Sequence, residues 1–175
     1  MNPVYFYITA AVAVLATAMV IISRNAVHAL LYLIISLLAT AIIFYLLGAP
    51  FAAALEVIVY AGAIMVLMVF VIMMLNQGDA AVEQEIRWLH PTVWLGPALL
   101  AGMLLVQMVI LLRADAGGVT PGAHAVDSKA VGIALFSRYL LAVELASMLL
   151  LAGLVGAFHL ARNHKSDLEE GPDVA

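Results

Sequence analysis

The amino-acid sequence predicts an all-α, polytopic membrane protein with five transmembrane helices. Of its 175 residues, 66% are hydrophobic and 10% are charged, whereas soluble domains carry about 25% charged residues. The mean hydropathy is +1.15, and nearly all of the charged residues lie between long apolar runs or at their ends. Lipid cannot satisfy the hydrogen bonds of an open strand edge, so each apolar run is interpreted as a helix.

Five apolar runs are long enough to cross the membrane, which takes roughly 20 helical residues. The first and second are joined only by Ser23-Arg24-Asn25, and the second and third by Gly48-Ala49-Pro50. Such short connections make neighbouring helices antiparallel. We therefore expect a single membrane domain, 1–162, followed by a flexible polar tail, 163–175. The five predicted helices cover about residues 3–22, 26–47, 51–75, 91–112 and 139–161.

The basic residues favour one orientation of these helices. With the N-terminus outside, Arg24, Arg87, Arg162 and Lys165 lie on the inner side, and Arg113, Lys129 and Arg138 lie on the outer side. Because basic loops tend to remain on the cytoplasmic side, we predict an external N-terminus and a cytoplasmic C-terminus.

Two acidic residues, Glu56 and Glu144, lie inside the apolar runs. An intramembrane carboxylate is costly and usually serves an ion path or a buried partner. In the predicted topology the third and fifth helices run in the same direction, and each acid lies roughly 8–9 Å along its helix. The alternative for each acid is a carboxylate that is favoured by the helix dipole and reaches interfacial water.

The residues after Glu56 suggest an irregular helix. Tyr60 follows four residues later and shares its helix face, where its phenol either reaches the same water or partner, or satisfies its hydroxyl between helices. The small segment Ala61-Gly62-Ala63 interrupts a run of bulky residues. It favours either close helix packing or a local distortion of the helix.

Other polar and small residues within the runs have structural interpretations. Gln107, deep in the fourth helix, is assigned no role. In the fifth helix, Ala142 with Ala146 and Gly153 with Ala157 form pairs that favour close helix packing. The second helix has a polar row that either lines a hydrated seam or bonds to another helix: Arg24, His28, Tyr32, Ser36 and Thr40.

No motif in the chain supports substrate chemistry. The sequence has no cysteine, no nucleotide-binding glycine pattern and no metal-ligand spacing, and its acidic tail does not suggest nucleic acid. Five helices without a visible repeat also make a poor self-contained transporter. The residues alone therefore indicate a membrane subunit with one or two intramembrane acids, inside a larger assembly.

Five stretches together carry a resemblance to a known protein family, and the resemblance as a whole covers nearly all of the chain up to about residue 162. They are Asn25–Leu33, Leu55–Leu67, Trp88–Pro91, Lys129–Phe136 and Leu141–Gly153. Together they closely resemble the subunit J family of bacterial NADH-quinone oxidoreductases, the counterpart of chain 6 of mitochondrial complex I.

This resemblance implies a multi-pass subunit of the bacterial inner membrane, with five helices and an external N-terminus. It places the chain in the membrane arm against the small subunits K and A, between the quinone-binding region and the antiporter-like subunits. It also implies that the chain takes part in a proton-translocating enzyme without a redox centre of its own. NADH, FMN, the iron–sulfur clusters and quinone would be bound by other subunits.

The resemblance also implies a role for each candidate residue. Glu56 matches the acid of the family's third helix, and the segment Tyr60–Gly62, with Ala61 at its centre, matches a π-bulge. Conversion of the bulge between π and α forms would rotate Met65, Val66 and Phe70 and so open or close a water path. The expected proton path comprises Glu56, Tyr60 and, with less support, Glu144.

Two alternatives remain at this point. One is the homologous membrane subunit of a cation/proton antiporter or a membrane-bound hydrogenase. The other is a purely structural membrane-arm scaffold, in which Glu56 only pairs with a neighbouring subunit.

Overall fold

The computed structural model describes residues 3–23, 25–75, 91–115 and 126–169, with side chains described for 3–23, 25–74, 94–113 and 126–162. All regular secondary structure in these ranges is helical, and five helices are long and apolar enough to cross a membrane. The elements are α1 (Pro3–Ile22), α2 (Ala26–Leu46), α3 (Pro50–Leu55), a π-helical segment (Glu56–Ile64), α4 (Met65–Leu75), α5 (Pro91–Asp115), α6 (Ser128–Ser137) and α7 (Leu140–Glu169).

The described residues form two compact units, one ending at Asp127 and the other beginning at Ser128. In the first unit α2 is the central helix, because it contacts α1, α3, the π segment, α4 and α5. The second unit contains α6 and α7.

The core of the first unit lies where α1, α2 and α5 meet. Ala16 of α1 and Ala39 of α2 are both fully buried, and small side chains allow two membrane helices to approach closely. The buried apolar residues of this cluster are Val12, Ala16, Ile35, Ala39, Ile42, Leu46 and Leu104. The short first connection predicts antiparallel packing of α1 against α2. The interface between these two helices is extensive.

The ends of α2 follow from local residue chemistry. Asn25 precedes the helix, and its side-chain Oδ1 accepts a hydrogen bond from the Val27 amide at 2.9 Å, which satisfies one of the free donors of the first turn. After the helix ends, Gly48 adopts a φ of 83°, in the left-handed region that favours glycine. Pro50 then begins α3, where its missing N–H costs nothing.

The elements α3, the π segment and α4 follow one another without interruption and form a single span, Pro50–Met74, called the third span below. Only Ala53, Ala61 and Met65 of this span are buried by the described residues. The third span therefore contacts α2 along a narrow strip, and the described residues leave most of its surface uncovered.

The last helix, α7, continues through Glu169, so the beginning of the predicted polar tail, 163–169, is helical. The rest of that tail lies outside the described residues. The side chains of Arg24, Arg87 and Lys165 also lie outside them, and the predicted orientation of the helices stays a prediction.

Candidate functional site

Glu56 begins the π-helical segment of the third span. Its backbone N–H donates to the carbonyls of Ala52 and Ala53, within the preceding turn of α3. Its side chain is half-buried, and among the described residues its carboxylate forms no hydrogen bond or ion pair. A carboxylate in this position depends on water or on a group from outside the described residues.

The π-helical hydrogen-bond pattern extends through Tyr60. At the end of the segment the Met65 amide donates to the carbonyls of Tyr60 and Gly62, and the bond to Tyr60 has the five-residue spacing of a π-helix. The Tyr60 side chain is 50% exposed. Like Glu56, its hydroxyl has no hydrogen-bond partner among the described residues.

Gly62 lies where two parts of this helix come unusually close. A Cβ atom at this position would lie 3.0 Å from the carbonyl oxygen of Val57, which is closer than an ordinary van der Waals contact. Glycine has no Cβ and accommodates this approach without displacement. A side chain at this position would require the Val57 backbone to move by a few tenths of an ångström, so the small residue that the sequence singled out suits the π geometry.

The predicted gate residues divide into buried and exposed sets. Ala61 and Met65 are 9% and 8% exposed, so they contact the rest of the first unit. Val66 and Phe70 are 63% and 53% exposed. In this conformation the described residues therefore leave both side chains largely uncovered.

Glu144, the second predicted intramembrane acid, belongs to the second compact unit. It lies one turn into α7 and is exposed. The Ser147 hydroxyl donates to the backbone carbonyl of Glu144 at 2.7 Å. The Glu144 carboxylate has no hydrogen bond or ion pair within the described ranges.

Within the polar row of α2, Ser36 bonds to α1 and His28 contacts α5. The hydroxyls of Ser36 and Thr17 are 2.8 Å apart and hydrogen-bond across the two helices. The Thr40 hydroxyl donates to the Ser36 carbonyl at 3.0 Å, and the His28 ring packs edge-on against the Trp94 ring of α5, with 6.4 Å between ring centroids. The contacts of Ser36 and His28 support the helix–helix interpretation of the row.

A polar cluster that was not predicted joins α5 to α1. The Gln107 side-chain Nε2 donates to Thr9 Oγ1 at 2.5 Å and to the Tyr5 carbonyl at 2.8 Å. Gln107 and Thr9 are both buried, and no described residue donates a hydrogen bond to the Gln107 Oε1 atom. The sequence shows Gln107 as an isolated polar residue deep in an apolar run, which is a sign of a buried polar contact. It does not show that Thr9 and Tyr5 are the partners.

The sequence matches the family model described as NADH-ubiquinone/plastoquinone oxidoreductase chain 6 over residues 16–160. It is 63% identical to NADH-quinone oxidoreductase subunit J of Pseudomonas aeruginosa, an alignment that covers 90% of this chain and 95% of the relative. Identity to subunit J of Escherichia coli is 58%, over 92% of this chain and 87% of the relative.

A more distant relative, subunit J of Rhodobacter capsulatus, is 37% identical over 94% of this chain and 83% of its own length. The similarity therefore extends across the membrane spans and is not confined to the segment around Glu56. The chain belongs to the family of subunit J of NADH-quinone oxidoreductase, which is chain 6 of complex I.

Proposed function

We propose that the third span of this membrane subunit couples quinone reduction in the complex to proton movement, with Glu56 as its protonatable group. The observation that carries the proposal is a half-buried carboxylate that starts a π-helix and has no partner among the described residues. An unpaired intramembrane acid at an irregular helix is a natural contact for water and for a mobile proton.

The proposed device is conversion of the π segment to an α-helix. A change of one residue in the hydrogen-bond register turns the residues beyond it by roughly 100° about the helix axis. Met65, now buried, would move away from α2, and Val66 and Phe70 would change the neighbours that they face. Bulky side chains that move in this way would close or open a water path beside Glu56 and Tyr60.

The same proposal includes the orientation of the chain in the membrane and its neighbouring subunits. The N-terminus would be periplasmic and the C-terminus cytoplasmic, in the bacterial inner membrane. The third span would face the small subunits K and A, near the quinone-site and antiporter-like subunits, and Glu144 would contribute a second carboxylate to the proton path. NADH, FMN, the iron–sulfur clusters and quinone would be bound by other subunits.

The exposed surface of the third span supports neighbours of this kind, since most of its apolar side chains are not covered by the described residues. The relatives are subunits of NADH-quinone oxidoreductases, which favours this setting over an antiporter or a hydrogenase. The alternative, in which the chain is only a structural scaffold, is distinguished from proton coupling by the substitutions of Glu56 described next.

The test replaces Glu56 in the intact complex and measures NADH oxidation together with pH-dye quenching in inverted vesicles. Glu56→Gln keeps the shape and the hydrogen-bonding capacity but removes the ionisable group. We expect normal assembly and about a hundredfold or greater loss of proton-coupled turnover, the size of effect typical of a lost proton-transfer group. Glu56→Asp, the matched control, keeps the carboxylate and should retain most of the pumping.

Wild-type pumping in the Glu56→Gln complex would refute the relay role. Loss of assembly in Glu56→Gln, with normal assembly in Glu56→Asp, would favour the scaffold alternative, in which the carboxylate only pairs with a neighbouring subunit.

A further inference from the structure

The turn that starts the third span accepts a hydrogen bond from a distant part of the chain. The Val126 amide donates to the Gly48 carbonyl at 2.9 Å, although Val126 lies beyond α5 in the sequence. Both residues belong to the first compact unit, which ends at Asp127. The bond therefore joins the segment after α5 to the turn between α2 and α3.

Two further backbone bonds at this turn close the end of α2. The Gly48 amide donates to the Tyr45 carbonyl at 3.1 Å, and the Ala49 amide donates to the Phe44 carbonyl at 3.0 Å. The direction of the chain beyond Ala49 still depends on a few backbone torsions, as it does at hinges between rigid helices. One of these torsions is the φ of 83° at Gly48, a residue type with an unusually wide range of backbone conformations.

The short helix α3 transmits any movement of this turn to Glu56. The Glu56 amide donates to the carbonyls of Ala52 and Ala53, so the hydrogen-bond ladder of α3 continues without a break to Glu56. Glu56 lies roughly 9 Å along the axis from Pro50, and a tilt of about 10° at the turn would displace it by about 1.5 Å. The direction of the chain at the turn therefore sets the position of the carboxylate.

Within the first unit, side-chain packing holds α3 through one small residue. Ala53 is 8% exposed and is the buried residue of α3. A methyl group makes few of the weak contacts that fix a large buried side chain. A hydrogen bond from a separate segment restricts direction as well as distance, because it weakens steeply when its angle falls below about 120°. The Val126 bond therefore supplies a constraint that the packing of Ala53 does not.

We infer that the Val126 amide is the anchor of the third span and a positioning group for Glu56. By bonding to the Gly48 carbonyl, it fixes the turn before Pro50 and holds Glu56 in place. A change of helix register beyond Glu56 would then turn only the residues that follow, by roughly 100°. The effect on proton coupling rests on the proposed role of Glu56, whereas the anchoring itself does not.

The first experiment removes the donor and determines the structure of the intact, purified complex. Val126→Pro has no amide N–H. Because proline also restricts the residue before it, a second variant replaces the Val126 amide by a backbone ester, which exchanges the N–H for an oxygen and keeps the side chain. Val126→Ala is the matched control, since it changes the side chain and keeps the N–H.

We expect Glu56 to move by about 1 Å or more relative to α2 in both variants that lack the donor, as the tilt of α3 predicts. In Val126→Ala it should stay in place. The wild-type complex should contain the bond between Val126 and Gly48. Absence of this bond from the wild-type complex, or an unmoved Glu56 in the ester variant, would overturn the inference.

The second experiment measures NADH oxidation and pH-dye quenching in inverted vesicles, each normalised to the amount of assembled complex. This normalisation removes the effect of weaker assembly alone. Loss of the donor should lower proton-coupled turnover about tenfold, since a misplacement of about 1 Å can cost up to a hundredfold in rate. Val126→Ala should match the wild type. A displaced Glu56 with wild-type turnover would uphold the anchor and refute the proposed role of Glu56, so the two failures are distinguishable.

Discussion

An alanine Cβ at Gly62 would lie 3.0 Å from the carbonyl oxygen of Val57, five residues earlier in the same helix. This close approach belongs to the π-helical form, because in an α-helix the nearest carbonyl in the hydrogen-bond ladder is four residues back rather than five. The identity of one residue is thereby linked to the conformation of the whole Glu56–Ile64 segment.

The first prediction concerns Gly62→Ala. Alanine is favoured over glycine in an α-helix by about 1 kcal/mol, and at position 62 the contact with Val57 opposes this gain in the π form. We therefore expect the variant to shift the third span toward the α form and to slow proton-coupled NADH oxidation. The structure of the variant complex and dye quenching in vesicles measure the two effects.

Gly102→Ala is the matched control for this prediction, since a Cβ at Gly102 meets no atom within 4 Å. It should leave pumping unchanged. A Gly62→Ala complex that keeps the π segment and pumps normally would show that the close approach to Val57 has no mechanistic consequence.

The second prediction concerns the proposed gate. Val66 and Leu67 are neighbours in α4 and both are 63% exposed, but only Val66 is a proposed gate residue. Val66→Ala should widen the proposed water path and lower the steady-state pH gradient, with little loss of NADH oxidation. Leu67→Ala should have no such effect. Equal proton leaks in the two variants, measured by decay of the gradient after NADH is exhausted, would contradict a specific gate at Val66.

The third prediction concerns the buried cluster of Gln107, Thr9 and Tyr5. Gln107→Leu loses two hydrogen bonds but also removes the Oε1 atom, which has no partner among the described residues. Intramembrane hydrogen bonds contribute about 0.6 kcal/mol each on average, so the thermal stability of the purified complex should change little. Gln107→Glu places a carboxyl group against two oxygen acceptors and should cost about 3 kcal/mol. A Glu variant as stable as the Leu variant would show that this contact is not closely packed in the assembled complex.

The fourth prediction concerns the approach of α5 to α2 at Gly96. A Cβ on Gly96 would overlap the Tyr32 hydroxyl oxygen, and such overpacking typically costs about 1–3 kcal/mol. Gly96→Ala should therefore lower the thermal stability of the complex, and adding Tyr32→Phe should restore most of it because the overlapping oxygen is removed. Equal losses in the single and double variants would show that the two positions are not energetically coupled.

Much of the candidate site could be predicted from the amino-acid sequence. An acid within an apolar run identified Glu56, and the family resemblance joined it to Tyr60 and Gly62. The extent of the π segment could not be predicted, because α and π forms share the same residues and differ only in which carbonyl each amide selects. The exposed positions of Val66 and Phe70 could not be predicted either, since they depend on which side of the third span faces α2.

The all-helical class, the five spans and the family follow from the amino-acid sequence. A membrane span is a local property, the sum of side-chain hydrophobicity over roughly 20 consecutive residues, so it requires no knowledge of neighbours. The pairing of Thr17 with Ser36, and of Gln107 with Thr9, emerges only in the folded chain. These pairs depend on the axial rotation and relative height of two helices, which are set by the packing of many apolar side chains at once.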